Sequence, residues 1–184
     1  MGGWTAYPFL ILKNMACALT QNYVLDCKDS LGGLKAVLFI EAGNVTTVTE
    51  TAGVVTAITL AASKYFYKYE LVKETSSFTE TVTASVQNGT IFYAQELTII
   101  LNKLQANTRN EILLLAQNSL IAIAEDKNGV YWMLGKDGGL DITGGTAASG
   151  VATGDRSGYE LTFGGQEAAL APEVSAGIIA ALLD

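Results

Sequence analysis

From Leu34 onward, apolar residues recur in short runs or at every second position, the period of a strand rather than of a helix. Leu34 to Ile40, Val45 to Thr49, Val54 to Leu60 and Tyr65 to Val72 are β-branched and aromatic runs of strand length, broken at Gly43, Gly53 and Ser63. That spacing belongs to a meander or a sandwich. Asn88-Gly89 and Asn128-Gly129 each separate two further runs. They predict two hairpins with type I′ turns, in which both central residues need positive φ. In the first hairpin Phe78, Val82, Ala84 and Val86 alternate with Ser77, Thr79, Thr81, Thr83 and Ser85. One face is therefore apolar and the other hydroxyl, and Glu80 interrupts the apolar one. The returning strand, Thr90 to Leu101, sets Ile91, Tyr93, Leu97, Ile99 and Leu101 against Phe92, Ala94, Glu96, Thr98 and Ile100. Arms of about ten residues, some 34 Å each, exceed the usual strand of about five or six. Such a hairpin is expected to outreach its own domain.

One segment has a different signature. Thr108 to Glu111 reads as a capping box, in which the Thr hydroxyl and the Glu carboxylate satisfy each other's free backbone donors. A helix from about Thr108 to Gln117 follows, with Ile112, Leu115, Ala116 and Ser119 on one stripe. Leu120 to Ala124, Val130 to Leu134 and Tyr159 to Phe163 read as further strands, and Gly138 to Gly158 as a Gly/Thr/Ala loop before the last of them. The expected fold is mostly β: a meander or sandwich with one α-helix and a long hairpin.

Composition narrows what such a fold does. The 184 residues suit one domain, and 49% hydrophobic against 16% charged residues supplies a core without metal or disulfide. Eleven Lys and Arg against eighteen Asp and Glu leave a net charge of −7, which opposes a surface that grips nucleic-acid phosphates. The chain has no histidine. Ser/His/Asp and Cys/His triads, H-E-x-x-H zinc helices and Cys2His2 fingers are therefore excluded. Cys17 and Cys27 fit neither a C-x-x-C redox motif nor a zinc site. They read as reduced thiols, with a bridge closing a short loop as the alternative.

The first fourteen residues stand apart. Trp4, Tyr7, Phe9, Leu10, Ile11 and Leu12 are apolar and Lys13 is the segment's only charge. No positive region precedes them as in a signal peptide, and no run of 18 apolar residues suggests a membrane span. Residues 1–14 are read as an apolar arm and 15–184 as a single β domain, with Met15 resembling an independent start. An exposed arm of this composition calls for a partner surface, so Trp4, Tyr7, Phe9 and Ile11, with Phe78, Val82 and Phe92 of the hairpin, are the expected subunit contacts.

Candidate chemistry elsewhere is sparse. Gly145 to Gly150 has the G-x-x-x-x-G spacing of a phosphate cradle, but Val151 and Ala152 stand where Lys and Ser/Thr are needed. Glu125 to Gly129 lacks the ligand order of a calcium loop and reads as a polar turn. Glu70, Glu74 and Glu80 have no pattern that pairs them as acid and base. Tyr65, Tyr67 and Tyr69 share a strand face that stacking on a base or sugar would use, though ordinary half-buried strands also favour aromatics. No catalytic residue, metal site or cofactor is expected.

Asn128 to Gly135, Gly139 to Thr146 and Gly154 to Glu167 resemble structural virion proteins of tailed bacteriophages, above all tail tube proteins. The likeness covers about Met15 to Pro172. It implies a β-sandwich or barrel with one helix, hexameric rings of identical subunits, and long hairpins joined around a channel. The hairpin at Asn88, the helix after Thr108, the turn from Asp155 to Tyr159 and the acidic Glu167 follow that plan in order. The implied function is a non-enzymatic, self-assembling virion subunit, with copies of itself and other virion proteins as partners and DNA as passing cargo. A head-to-tail connector or a capsid decoration protein is the alternative within that class. A monomeric carbohydrate-binding module, using Tyr67 and Trp132, is the alternative outside it.

Overall fold

The computed structural model describes residues 22–24 and 28–183. Trp4, Tyr7, Phe9 and Ile11, with the rest of residues 1–14, lie outside the described residues, as do Cys17 and Cys27.

Among the described residues eleven strands form two sheets. The larger contains β1 (Leu34–Glu41), β2 (Val45–Thr51), β3 (Val54–Leu60), β4 (Tyr67–Glu70), β7 (Leu120–Asp126), β8 (Tyr131–Leu134) and β11 (Glu173–Val174), in the order β2-β3-β11-β8-β7-β1-β4. The smaller contains β5 (Ser77–Ser85), β6 (Thr90–Asn102), β9 (Asp141–Ala148) and β10 (Gly158–Glu167), in the order β5-β6-β10-β9. All pairings are antiparallel except β11 with β3. The fold is a mostly β sandwich.

The periods of the sequence explain the layers. In β1, Val37 and Phe39 enter the core between the sheets, while Leu38 and Ile40 enter a second core on the opposite face. β7 repeats the division, with Ala122 and Ala124 on one side and Ile121 and Ile123 on the other. Both strands are covered twice, which is why they read as continuous apolar runs rather than alternating ones. From the smaller sheet, Leu97, Ile99, Leu161 and Phe163 fill the inter-sheet core, and the Phe39 and Phe163 rings meet at 5.1 Å. The second core is closed by Val55, Val174 and a short helix, α2 (Ala176–Leu182), through Ile179 and Leu182.

Four expectations change here. Among the described residues there are two α-helices, and α2 is the unexpected one. The longer, α1, spans Ala106–Gln117, with Gln105 at its N-cap position and no side-chain cap. Thr108 lies inside the first turn, so the capping box does not form. Of the predicted stripe, Leu115 is buried and Ile112 packs beside it, whereas Ala116 and Ser119 are exposed. The stretch from Gly138 to Gly158 contains the edge strand β9.

The turns differ too. The Asn88 hairpin closes through four residues, 86–89, and the Asn128 hairpin through three, 127–129. In each, only the glycine has positive φ. A two-residue loop with both φ positive sits instead between β2 and β3, at Ala52 (53°) and Gly53 (82°). The register of Thr51 with Val54 leaves no third residue to share the reversal, so an alanine takes the left-handed position. Among the described residues no helix is long and apolar enough to cross a membrane.

Candidate functional site

The four-stranded sheet is the most distinctive surface of the molecule. Its inner face carries the core residues, so strand alternation places Thr79, Thr81, Thr83, Glu96, Thr98, Glu160, Thr162, Thr146 and Asp141 on the outer face. Direct partners share that face: Thr79 with Glu96, Thr98 with Thr162, and Glu160 with Thr146. The Thr98 and Thr162 hydroxyls are 3.4 Å apart. The four strands contain five carboxylates, at Glu80, Glu96, Asp141, Glu160 and Glu167, and no Lys or Arg. In sequence, all eleven Lys and Arg fall outside these four strands. Arg156, in the turn before β10, reaches Glu160 at 3.0 Å.

Glu80 does not face solvent with these residues. It stands on the inner side opposite Gln95, which is buried. Gln95 Nε2 donates to Glu80 Oε1 at 2.9 Å, and the Ala171 N–H donates to the same oxygen at 2.8 Å. Gln95 Oε1 accepts the Gly135 N–H at 2.8 Å. Buried Glu167, on the same face, accepts from the N–H groups of Asp137 at 3.2 Å and Gly138 at 2.9 Å. Three side chains of the smaller sheet thus satisfy the backbone of loops leading to and from the larger one. The loop comes this close because β10 has glycine at position 165: a Cβ there would stand 2.5 Å from the Gly139 carbonyl oxygen.

The hairpin extends beyond its sheet by less than its length suggests. β10 ends with Glu167 opposite Tyr93, so only the pairs Thr83–Phe92, Ala84–Ile91 and Ser85–Thr90 continue past it. That is about 10 Å of free ribbon. Ile91 and Val86 on this ribbon and its tip are 57% and 98% exposed, and Val82 at its base is 54% exposed. Of the expected contact residues, Val82 is therefore exposed and Phe92, on the ribbon, half-buried. Phe78 packs inside its own sandwich, its ring 6.5 Å from that of Trp132.

The other candidates are occupied internally. Tyr69 lies edge-on to Phe39 at 5.3 Å while Tyr67 stays exposed, so the tyrosines form no continuous platform. Burial, with the charge of Glu111 adding to it, pushes the Tyr69 phenol up to about 12. Val151 and Ala152 donate their N–H groups to Asp155 Oδ2 at 2.9 and 2.7 Å, which holds that carboxyl below its ordinary range. The two backbone donors that follow the phosphate-like spacing are thus engaged. Buried Glu125 pairs with Lys35 and lies 3.9 Å from Lys68; its hydrogen bond to Lys35 raises the lysine's pKa. At Asp126, burial favours the neutral acid, but hydrogen bonds from Val130, Asn128 and Trp132 together hold the pKa low. Among Glu70, Glu74 and Glu80, none is hydrogen-bonded to another. Among the described residues no group of three or more His, Cys, Asp or Glu could hold a metal ion.

A groove of about 760 Å³ runs between α1 and β9, lined by Leu104, Ile112, Leu113, Ile142 and Leu161 with Arg109. Its lining holds the hydroxyls of Thr143, Thr146, Ser149 and Tyr159 but no carboxylate. In comparison with known proteins, no family model matches the chain, and neither a curated protein nor a solved structure does.

Proposed function

We propose that this chain is a self-assembling structural subunit of a phage virion, a tail tube protein whose rings stack around a DNA conduit. The four-stranded sheet is the observation that carries the reading. Its strands hold hydroxyls and carboxylates but no cation. A ring lined by such faces repels phosphates and offers a sliding polymer nothing to grip.

The topology supports assembly through the same sheet. β5 and β9 are its two edge strands, so both ends of the sheet present unpaired backbone. A head-to-tail contact between one edge and its opposite on the next copy is heterologous, and it closes into a ring where the rotation permits. The apolar ribbon at Val82, Val86 and Ile91 offers a contact between stacked rings, and residues 1–14 a further one. The site of action is the virion, after assembly in the host cytoplasm, and the work is mechanical rather than enzymatic. A connector or decoration protein would differ in the symmetry of its particle.

Electron microscopy of the purified full chain at high concentration tests this reading. Rings or tubes are expected, and dispersed monomers alone would remove it.

A further inference from the structure

The chain contains two Asn-Gly pairs in comparable hairpin loops, and the fold treats them differently. At Asn128, Oδ1 accepts the Leu31 N–H at 2.7 Å, and Nδ2 donates to the Leu31 carbonyl at 3.0 Å and to Asp126 Oδ2 at 3.3 Å. The following Gly129 N–H is also engaged, donating to the Asp126 carbonyl at 3.3 Å. At Asn88, the backbone N–H donates to Ser85 Oγ at 3.3 Å. Among the described residues neither the Asn88 side chain nor the Gly89 N–H has a partner. The loop is exposed on both sides of Asn88, and a Cβ on Gly89 would meet nothing within 4 Å.

We infer that Asn88 is a site of spontaneous deamidation in the folded protein and that Asn128 is protected by the fold. The Gly89 backbone nitrogen attacks Asn88 Cγ. The new N–Cγ bond forms as the Cγ–Nδ2 bond breaks, and the displaced proton leaves with the amide as ammonia. Water then opens the cyclic imide at either carbonyl, giving aspartate or its isomer linked through the side chain. Glycine leaves the nucleophile unshielded, and at an exposed loop tip without side-chain partners little opposes ring closure. At Asn128 the attacking nitrogen and the leaving amide are both held, so several hydrogen bonds must open first. The product places a new carboxylate at the ribbon tip beside exposed Val86.

Trypsin separates the two sites, because Lys73, Lys103, Lys127 and Lys136 place Asn88 in peptide 74–103 and Asn128 in peptide 128–136. The full chain is incubated in mildly alkaline buffer, folded or in concentrated urea, then digested and followed by fragment-ion mass spectrometry. In the folded protein the mass increase should accumulate at Asn88 at least about tenfold faster than at Asn128. In urea the two rates should converge, and Asn88→Gln should remove the early product. Equal rates in the folded protein would overturn the inference, as would a contrast that persists in urea.

Discussion

Gln95 and Glu80, opposite each other on β6 and β5, form a polar pair on the core-facing side of the sheet: Gln95 Nε2 donates to Glu80 Oε1 at 2.9 Å. The same glutamine accepts the Gly135 N–H. Gln95→Leu leaves that backbone donor without its acceptor and costs about 2 kcal/mol. Urea unfolding should register the loss. Gln95→Glu, which keeps an acceptor but removes the donor to Glu80 and sets two carboxylates together, should destabilise as well.

Steric approach gives a second, internally controlled prediction. A Cβ at Gly158 would stand 2.2 Å from the Leu101 carbonyl oxygen, whereas one at Gly144 would meet nothing within 4 Å. Gly158→Ala should lower stability by about 3 kcal/mol, and Gly144→Ala should stay within about 0.5 kcal/mol of the parent. Thermal unfolding of the two variants checks the contrast.

Ala52 holds a left-handed conformation at φ 53° in the β2–β3 turn. Ala52→Gly or Ala52→Asn should raise stability by about 1 kcal/mol, because the strain of a Cβ in that region is relieved or tolerated. An unchanged urea midpoint for both would contradict the turn assignment.

Tyr69 supplies a pH test. Its phenol is raised to about 12 by burial, so its contribution to stability is complete below pH about 10 and falls as pH rises through about 12. Lys35 and Lys136 also have raised values, so the informative quantity is the difference between parent and Tyr69→Phe. That difference should shrink over this window in urea unfolding measured against pH.

The charge of this sheet, whose strands contain no Lys or Arg, can be inverted. Thr79→Lys, Glu96→Lys and Thr162→Lys together place three cations on the outer side of the sheet. The parent should leave duplex DNA unretarded in a gel-shift assay. The triple variant should retard it, with affinity falling as salt rises.

Much of the framework is legible in the sequence. Val54–Leu60 is a strand as the pattern predicts, and the hairpin alternation correctly separates Phe78 and Leu97 from Thr79 and Glu96. Turn geometry was less legible, because register rather than the Asn-Gly dipeptide decides loop length. Ala52-Gly53 carries no such dipeptide yet makes the tighter turn. The strand β9 was hidden by Gly144, Gly145 and Ala147, residues with little strand preference that β10 nevertheless recruits. The helix α2 was too short for its period to register, although Ile179 and Leu182 fit one face. At the candidate site, the absence of Lys and Arg from β5 and β6 is plain in the sequence. Only the pairing of β9 and β10 with them turns it into a surface.

A reconstruction of the assembled particle tests the central claim most directly. The account predicts a ring or tube in which β5, β6, β9 and β10 of every copy line the channel, with Glu96, Thr98, Glu160 and Thr162 facing inward. A channel lined by the seven-stranded sheet would contradict it, and so would a chain that stays monomeric at every concentration.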